Sequence, residues 1–217
     1  MFRIEIPRIP ASIVRMGAAS TADAEVERRL ESATSGDVAT LQVEPTGVLE
    51  IRNDESLYYN YGGGMTVFNN SGVVRKLASA GTSAFYSVQF NNSGALEVQS
   101  GTLRLTGGGT GSGVFSVSSG AALDFGGGTH ELSASSAISG GGAVIVSGGT
   151  VNHNGSYGIT GTTTADGGTL NLLGTVTSLG SSVTVSGGTL SLASDVTVNG
   201  DGTLSNGMLT GAGDVMF

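Results

Sequence analysis

The chain has no cysteine, no tryptophan, one lysine (Lys76) and only three prolines in 217 residues. Without cysteine it has neither a disulfide framework nor thiol chemistry, and no thiolate-ligated metal site. Surface and cytosolic proteins both dispense with thiols, so this absence does not fix a compartment. Charged residues are also scarce, at 12% against the roughly 25% usual in soluble domains. Nine Lys and Arg stand against seventeen Asp and Glu, a net charge of −8. A nucleic-acid binder needs clustered cations to displace counterions from phosphates, and none are clustered here. Nucleic acid is therefore not an expected partner, and an anionic membrane surface is an equally poor one. No apolar run approaches the roughly 20 residues of a membrane span, so membrane insertion is not expected. The stretch from Met1 to Met16 lacks the continuous apolar centre of a secretory signal.

Glycine takes up much of the vacated composition, with 38 residues. Such a bias raises low complexity or disorder as readings, but the regular return of Val, Leu, Ile and Phe argues against them, because a disordered chain lacks apolar stripes. Two materials are joined near residue 60. Sixteen of the 26 charged residues fall in 1–60, together with only three of the glycines. Within that first part, Phe2, Ile4 and Ile6 alternate with charged residues as in a short strand, which Pro7 and Pro10 interrupt. Ser20 or Thr21 can cap a helix start, Asp23 and Glu25 suit its positive end, and Ser35-Gly36 supplies a stop. The spacing predicts a short helix over about 21–33. Residues 1–37 are thus expected to form an N-terminal strand-helix cap.

From residue 38 the pattern is short strands and turns that repeat. Phe68-Asn69-Asn70-Ser71-Gly72 returns one unit later as Phe90-Asn91-Asn92-Ser93-Gly94. Gly148-Gly149-Thr150-Val151 returns as Gly167-Gly168-Thr169-Leu170 and again as Gly187-Gly188-Thr189-Leu190. Inside each unit lie runs such as Leu170-Asn171-Leu172 and Val183-Thr184-Val185, whose period of two puts aliphatics on one face. Strands this short cannot stand alone; coiled, each pairs with its equivalent one turn above and below. The reading is all-β: a parallel β-helix, or solenoid, over 38–217 with about 20–22 residues per coil. Eight or nine coils at a rung spacing of about 4.8 Å make a rod roughly 40 Å tall. A β-sandwich would give longer strands and no fixed return.

Aligning the early coils on Gly47, Gly72 and Gly94 places Glu50, Arg75 and Glu97 in one file, where opposite charges attract. The same alignment sets Phe68 against Phe90 and Asn69 against Asn91, as structural ladders or, alternatively, as the lining of a ligand groove. Solenoid ends expose unpaired backbone groups, so natural versions cap them. The last residues, from Gly211 to Phe217, read as a fresh coil that stops. This predicts a homo-oligomer or filament formed through an uncapped C-terminal coil, or a fragment of a longer rod.

Chemistry-bearing groups are sparse. His130 and His153 lie about one coil apart with no recurring third ligand, and read as exposed strand or turn residues; no metal site is expected. Gly111-Ser112-Gly113 lacks the strand-to-helix frame of a nucleophile elbow. The tri-glycines at 107–109 and 140–142 lack the Lys and helix of a phosphate loop, so no cofactor is expected. Thr162/Thr164 and Thr175/Thr177 have the Thr-x-Thr spacing of ice-binding rows, but single threonines elsewhere break the pattern. Parallel β-helices also host polysaccharide lyases and hydrolases, which need acids close together. Asp54-Glu55 is the nearest to that; adjacent acids on a strand face opposite ways. Tyr58, Tyr59 and Tyr61 beside them are the best candidates for stacking on sugar rings.

The strings Val67-Phe-Asn-Asn-Ser-Gly72, Ser100-Gly-Thr-Leu-Arg-Leu105, Leu123-Asp-Phe-Gly-Gly-Gly-Thr-His-Glu-Leu132 and Ile138-Ser-Gly-Gly-Gly-Ala-Val-Ile-Val146 resemble the Gly-rich β-helical repeats of bacterial surface, autotransporter-passenger and adhesin-like proteins. The resemblance covers about 45–217. It implies a non-enzymatic structural or adhesive rod, extracellular or on a cell surface, facing a host or glycan surface. The alternative is a carbohydrate-active β-helix, whether lyase, hydrolase or glycan-binding spike.

Overall fold

A computed structural model describes residues 13–16 (backbone), 40–58, 66–198 and 200–216. It is a parallel β-solenoid of about eight turns, and every strand pairing in it is parallel. The predicted strand at 2–6 and helix at 21–33 lie outside the described residues, as do Tyr59 and Tyr61. Within the segment assigned to the cap, Ile13–Met16 is a strand that pairs in register with Thr40–Val43.

Each coil contributes three strands, and equivalent strands stack into three columns. The first column includes Thr40–Val43, Thr66–Asn70 and Val88–Asn92, and ends at Met208–Gly211. The second includes Val48–Ile51, Val73–Lys76 and Ala95–Val98. The third includes Thr82–Tyr86, Thr102–Leu105 and Ser182–Val185. In two middle coils the third-column strand runs on through a glycine corner into the next first-column strand, giving Ala122–Leu132 and Ala143–His153. The coils shorten along the rod: Val67 pairs with Gln89 in an early coil, Val151 with Leu170 in a late one. The first two steps, which pair Ile13 with Thr40 and Thr40 with Val67, are equally long and are the longest.

Many four-residue strands repeat one burial pattern, half-buried then buried, twice over, as in Thr102-Leu103-Arg104-Leu105. The pleat sends Leu103 and Leu105 inward and leaves Arg104 outside. Stacking then lines up like with like: Leu103, Leu123 and Val144 occupy one internal file and Leu105, Phe125 and Val146 the next. The early coils are filled by Phe68, Phe85 and Phe90, with ring centroids 5.2–5.6 Å apart. Phe68 and Phe90 meet edge to face, at 90°, the geometry that brings a ring's positive edge to its neighbour's negative face.

The corner between the first and second columns needs glycine. A Cβ on Gly94 would run into the carbonyl oxygen of Gly72 one coil below, so the stacked turns close only where both lack side chains. At the corner into the first column Gly149 has φ +69°, a left-handed conformation that L side chains rarely adopt.

Candidate functional site

Along the first column, the outward position between the two buried ones forms a continuous file. Pairing carries it from Gln42 to Asn69, Asn91, Thr110, Glu131, Asn152, Asn171, Ser191 and Thr210. Nine rungs at about 4.8 Å span roughly 38 Å. Much of the file is tied by hydrogen bonds. Asn91 Nδ2 donates to Asn69 Oδ1 at 2.9 Å, and Asn91 Oδ1 accepts from the Thr110 backbone N–H (3.0 Å) and Oγ1 (3.1 Å). Asn152 Nδ2 donates to Glu131 Oε1 and Asn171 Nδ2 to Asn152 Oδ1, both at 2.7 Å.

Beside this file, at the corner leading to the second column, lies an open recess of about 540 Å³. It runs from Gln42 to Asn154, with the outward amides on one flank and Ser71, Ser93, Ser112 and Ser133 on the other. Beneath it lies a second, buried amide ladder. Asn70 Nδ2 donates to Asn92 Oδ1 (2.8 Å) and to the Ala95 carbonyl (2.9 Å), while Asn70 Oδ1 accepts from Gly72 N–H (3.2 Å). Asn92 Nδ2 in turn donates to the Val114 carbonyl at 3.0 Å. These amides bond the Gly72 N–H of the turn and the carbonyls of Ala95 and Val114 at the starts of second-column strands, tying the floor of the recess to that column. The ladder stops at Gly111, where Leu132 and Phe115 occupy the space a side chain would need.

In the second column Arg75 sits between Glu50 and Glu97. Its Nε–Glu97 Oε2 distance is 2.6 Å and its guanidinium reaches Glu50 Oε1 at 3.3 Å, while Arg52 grips Glu50 at 2.6 Å. Arg52 and then Arg75 hold the Glu50 carboxyl below the usual carboxylate range. This file lies on a different face from the recess.

Tyr58 is 56% exposed and stacks on Tyr86, with centroids 4.7 Å apart. The pair stands in the third column, away from the recess. Asp54 caps Lys76, whose side chain is fully buried and spends its three donors on Asp54 Oδ1 (3.3 Å), the Asn53 carbonyl (3.3 Å) and Ser79 Oγ (2.8 Å). The hydrogen bond from Ser79, then Lys76 itself, lowers the Asp54 pKa. The Asp54 region therefore anchors a loop to the core through the chain's one lysine.

The two histidines are not exposed, contrary to the sequence reading. His130 is 2% and His153 1% exposed, because both occupy inward positions of the first column. His130 packs on Phe125 and His153 on Tyr157, and the Tyr157 hydroxyl meets Thr163 Oγ1 at 2.7 Å. Burial depresses both imidazoles to about 4. Among the described residues, no three His, Asp or Glu side chains converge as a metal site would require. The Thr-x-Thr pairs lie in Thr162–Ala165 and Thr175–Leu179, strands of different columns, and so form no common array.

Comparison with protein families, curated proteins and solved structures returned no match to this chain.

Proposed function

We propose that the chain is a non-enzymatic adhesive β-solenoid which holds a surface polymer along its first strand column. The observation that carries this reading is the nine-rung outward file of amides and hydroxyls, interrupted by Glu131, whose first five rungs border the recess. Such groups both donate and accept hydrogen bonds, and a rung repeat of about 4.8 Å presents them periodically to an extended chain of hydroxyls. The likeness of the repeats to bacterial surface and autotransporter-passenger sequences supports an extracellular setting and a glycan-bearing partner. The test is binding of the purified chain to an array of glycans and to intact cell-surface polysaccharides, with Asn69→Ala/Asn91→Ala as control. The expected result is retention by at least one glycan class, weakened tenfold or more in the double variant. Turnover of a polysaccharide, abolished by Asp54→Asn, would instead favour a carbohydrate-active β-helix.

A second role, stacking end to end, is supported by a separate observation. In the last described coil Leu204, Met208, Leu209 and Met216 are 38–59% exposed, on strands that each pair on one side only. A following coil, or a second copy of the chain, would cover them.

A further inference from the structure

Asn154-Gly155 and Asn206-Gly207 are the Asn-Gly pairs among the described residues; Asn199, which precedes Gly200, lies outside them. Such a pair carries a reaction of its own. The glycine nitrogen can attack the asparagine Cγ, because no Cβ on the following residue obstructs the approach. The attack needs a backbone N–H not already spent in a hydrogen bond, a carboxamide free to turn, and room for a five-membered ring.

Asn206-Gly207 belongs to a three-residue turn, 205–207, that leads from the third column to the first and stacks on the turns 186–188 and 166–168. In the two earlier turns the glycine before the first-column strand donates to the preceding coil. Gly168 N–H reaches the Val146 carbonyl at 3.2 Å and Gly188 N–H the Ala165 carbonyl at 3.3 Å. In the last turn Ser205 N–H takes the Val185 carbonyl at 3.1 Å, and Gly207 N–H has no acceptor among the described residues. The Asn206 side chain is exposed and makes no hydrogen bond among them either. It stands where Gly187 stands one coil earlier, a roomy position at which a Cβ would meet nothing nearer than 3.7 Å.

The other pair is differently placed. Gly155 N–H is unbonded as well among the described residues, so the contrast lies in the side chain and the room. Asn154 Nδ2 donates to the Leu132 carbonyl at 3.3 Å, which turns the carboxamide away from Gly155. Gly155 is buried, and the Ser136 carbonyl of the preceding coil fills the space beside it.

We infer that Asn206 is a self-modification site, converted by its own backbone to aspartate and isoaspartate, while the fold protects Asn154. Once Gly207 N–H has given its proton to water, the nitrogen lone pair forms a bond to Asn206 Cγ. The Cγ–Nδ2 bond breaks, Nδ2 leaves as ammonia with a proton from water, and a succinimide remains. Water then adds at either ring carbonyl and breaks that carbonyl's bond to nitrogen. One opening gives aspartate; the other gives isoaspartate, whose main chain runs through Cβ and Cγ and is one atom longer. The longer chain does not suit a turn whose flanking strands are both in register with the preceding coil. It also adds a negative charge to a chain of net charge −8. Conversion therefore loosens this coil.

The test is ageing of the whole folded chain at pH 7 and pH 8, followed by peptide mapping with mass spectrometry and enzymatic methylation of isoaspartate. Asn206 should show the mass gain of an amide-to-acid exchange at least tenfold faster than Asn154. It should convert faster at pH 8, because the attacking nitrogen must lose its proton. In urea, where the fold no longer separates the pairs, the two rates should converge. Hydrogen exchange over 201–211 should be faster in the aged chain than in the fresh one, and unchanged by ageing in Asn206→Ser. If Asn206→Ser fails to fold, Asn206→Gln, whose ring closure needs six members, takes its place. Equal conversion of Asn154 and Asn206 in the folded chain overturns the assignment, as does an Asn206 that converts only in urea. Exchange that rises equally in the aged Asn206→Ser chain overturns the loosening.

Discussion

At position 153 a histidine interrupts an internal file of leucines: its register partners are Leu132 and Leu172. Both of its ring nitrogens are buried without a hydrogen-bond partner, which costs about 1–3 kcal/mol. Its pKa and that of His130 are held near 4 by burial, whereas an unfolded imidazole titrates near 6.5. The unfolded chain therefore takes up protons over a range in which the folded chain does not. The stability this leaves is fully present above about pH 6.5 and is lost as pH falls toward 4. By pH 5 each histidine should cost the fold about 2 kcal/mol relative to neutral pH. His153→Leu extends the leucine file and removes the orphaned nitrogens. It should raise stability by about 1 kcal/mol at pH 7 and by clearly more at pH 5, as read by urea unfolding at the two values. Equal effects at both would show that the imidazole is not held neutral.

Among the elements, the second-column file from Glu50 through Arg75 to Glu97 adds side-chain ion pairs to the backbone pairing of three coils. The Arg75 side chain is 28% exposed and its partners 18% and 27%, so water and salt screen each pair to roughly 0.2–1 kcal/mol. Glu97, and after it Glu50, raise the Arg75 pKa, which keeps the cation in place at any ordinary pH. Arg75→Met should lower stability by about 1 kcal/mol at low salt and by much less near 1 M salt, where the Debye length shrinks to about 3 Å. A double-mutant cycle with Glu97→Gln, measured by thermal unfolding at both salt concentrations, checks the coupling. No coupling at low salt would mean that the file is incidental to register. The buried Asn70–Asn92 pair is the stronger register device, because the two amides are themselves buried and bond each other and a backbone carbonyl each across the coils.

For the whole molecule, stability is close to a sum over neighbouring coils, since each strand pairs only with its equivalents above and below. Middle coils have two neighbours. The coil formed by Asp201–Leu204, Met208–Gly211 and Val215–Met216 has one, and its aliphatics are exposed. Its amides should exchange hydrogen at least a hundredfold faster than those of Leu103–Leu105 or Val144–Val146 at low protein concentration, as followed by mass spectrometry. If copies stack through this coil, raising the concentration should slow that exchange and add larger species in sedimentation. Leu204→Lys/Met208→Glu should suppress both effects. Exchange in the last coil that does not depend on concentration would rule stacking out.

The sequence by itself determined the solenoid, because period-two aliphatics and glycine corners that return once per coil bury an apolar face only by stacking coil on coil. It also marked the Asn69–Asn91 and Glu50–Arg75–Glu97 steps, where neighbouring coils repeat a string or a glycine at nearly constant spacing. The rest of the polar file escaped it. Residue types change from Gln42 through Thr110 and Glu131 to Thr210, and the sequence step between rungs is uneven along the file. No fixed period reads through such a series, and only backbone pairing aligns it. The same is true of the recess, whose lining is gathered from six successive coils, from Gln42 to Asn154, that only backbone pairing stacks in space. Tertiary structure likewise decided the inward facing of His130, His153 and Lys76. An alternating strand can turn either face to the core, and the register of the adjoining leucines and valines selects which polar residues are carried inside.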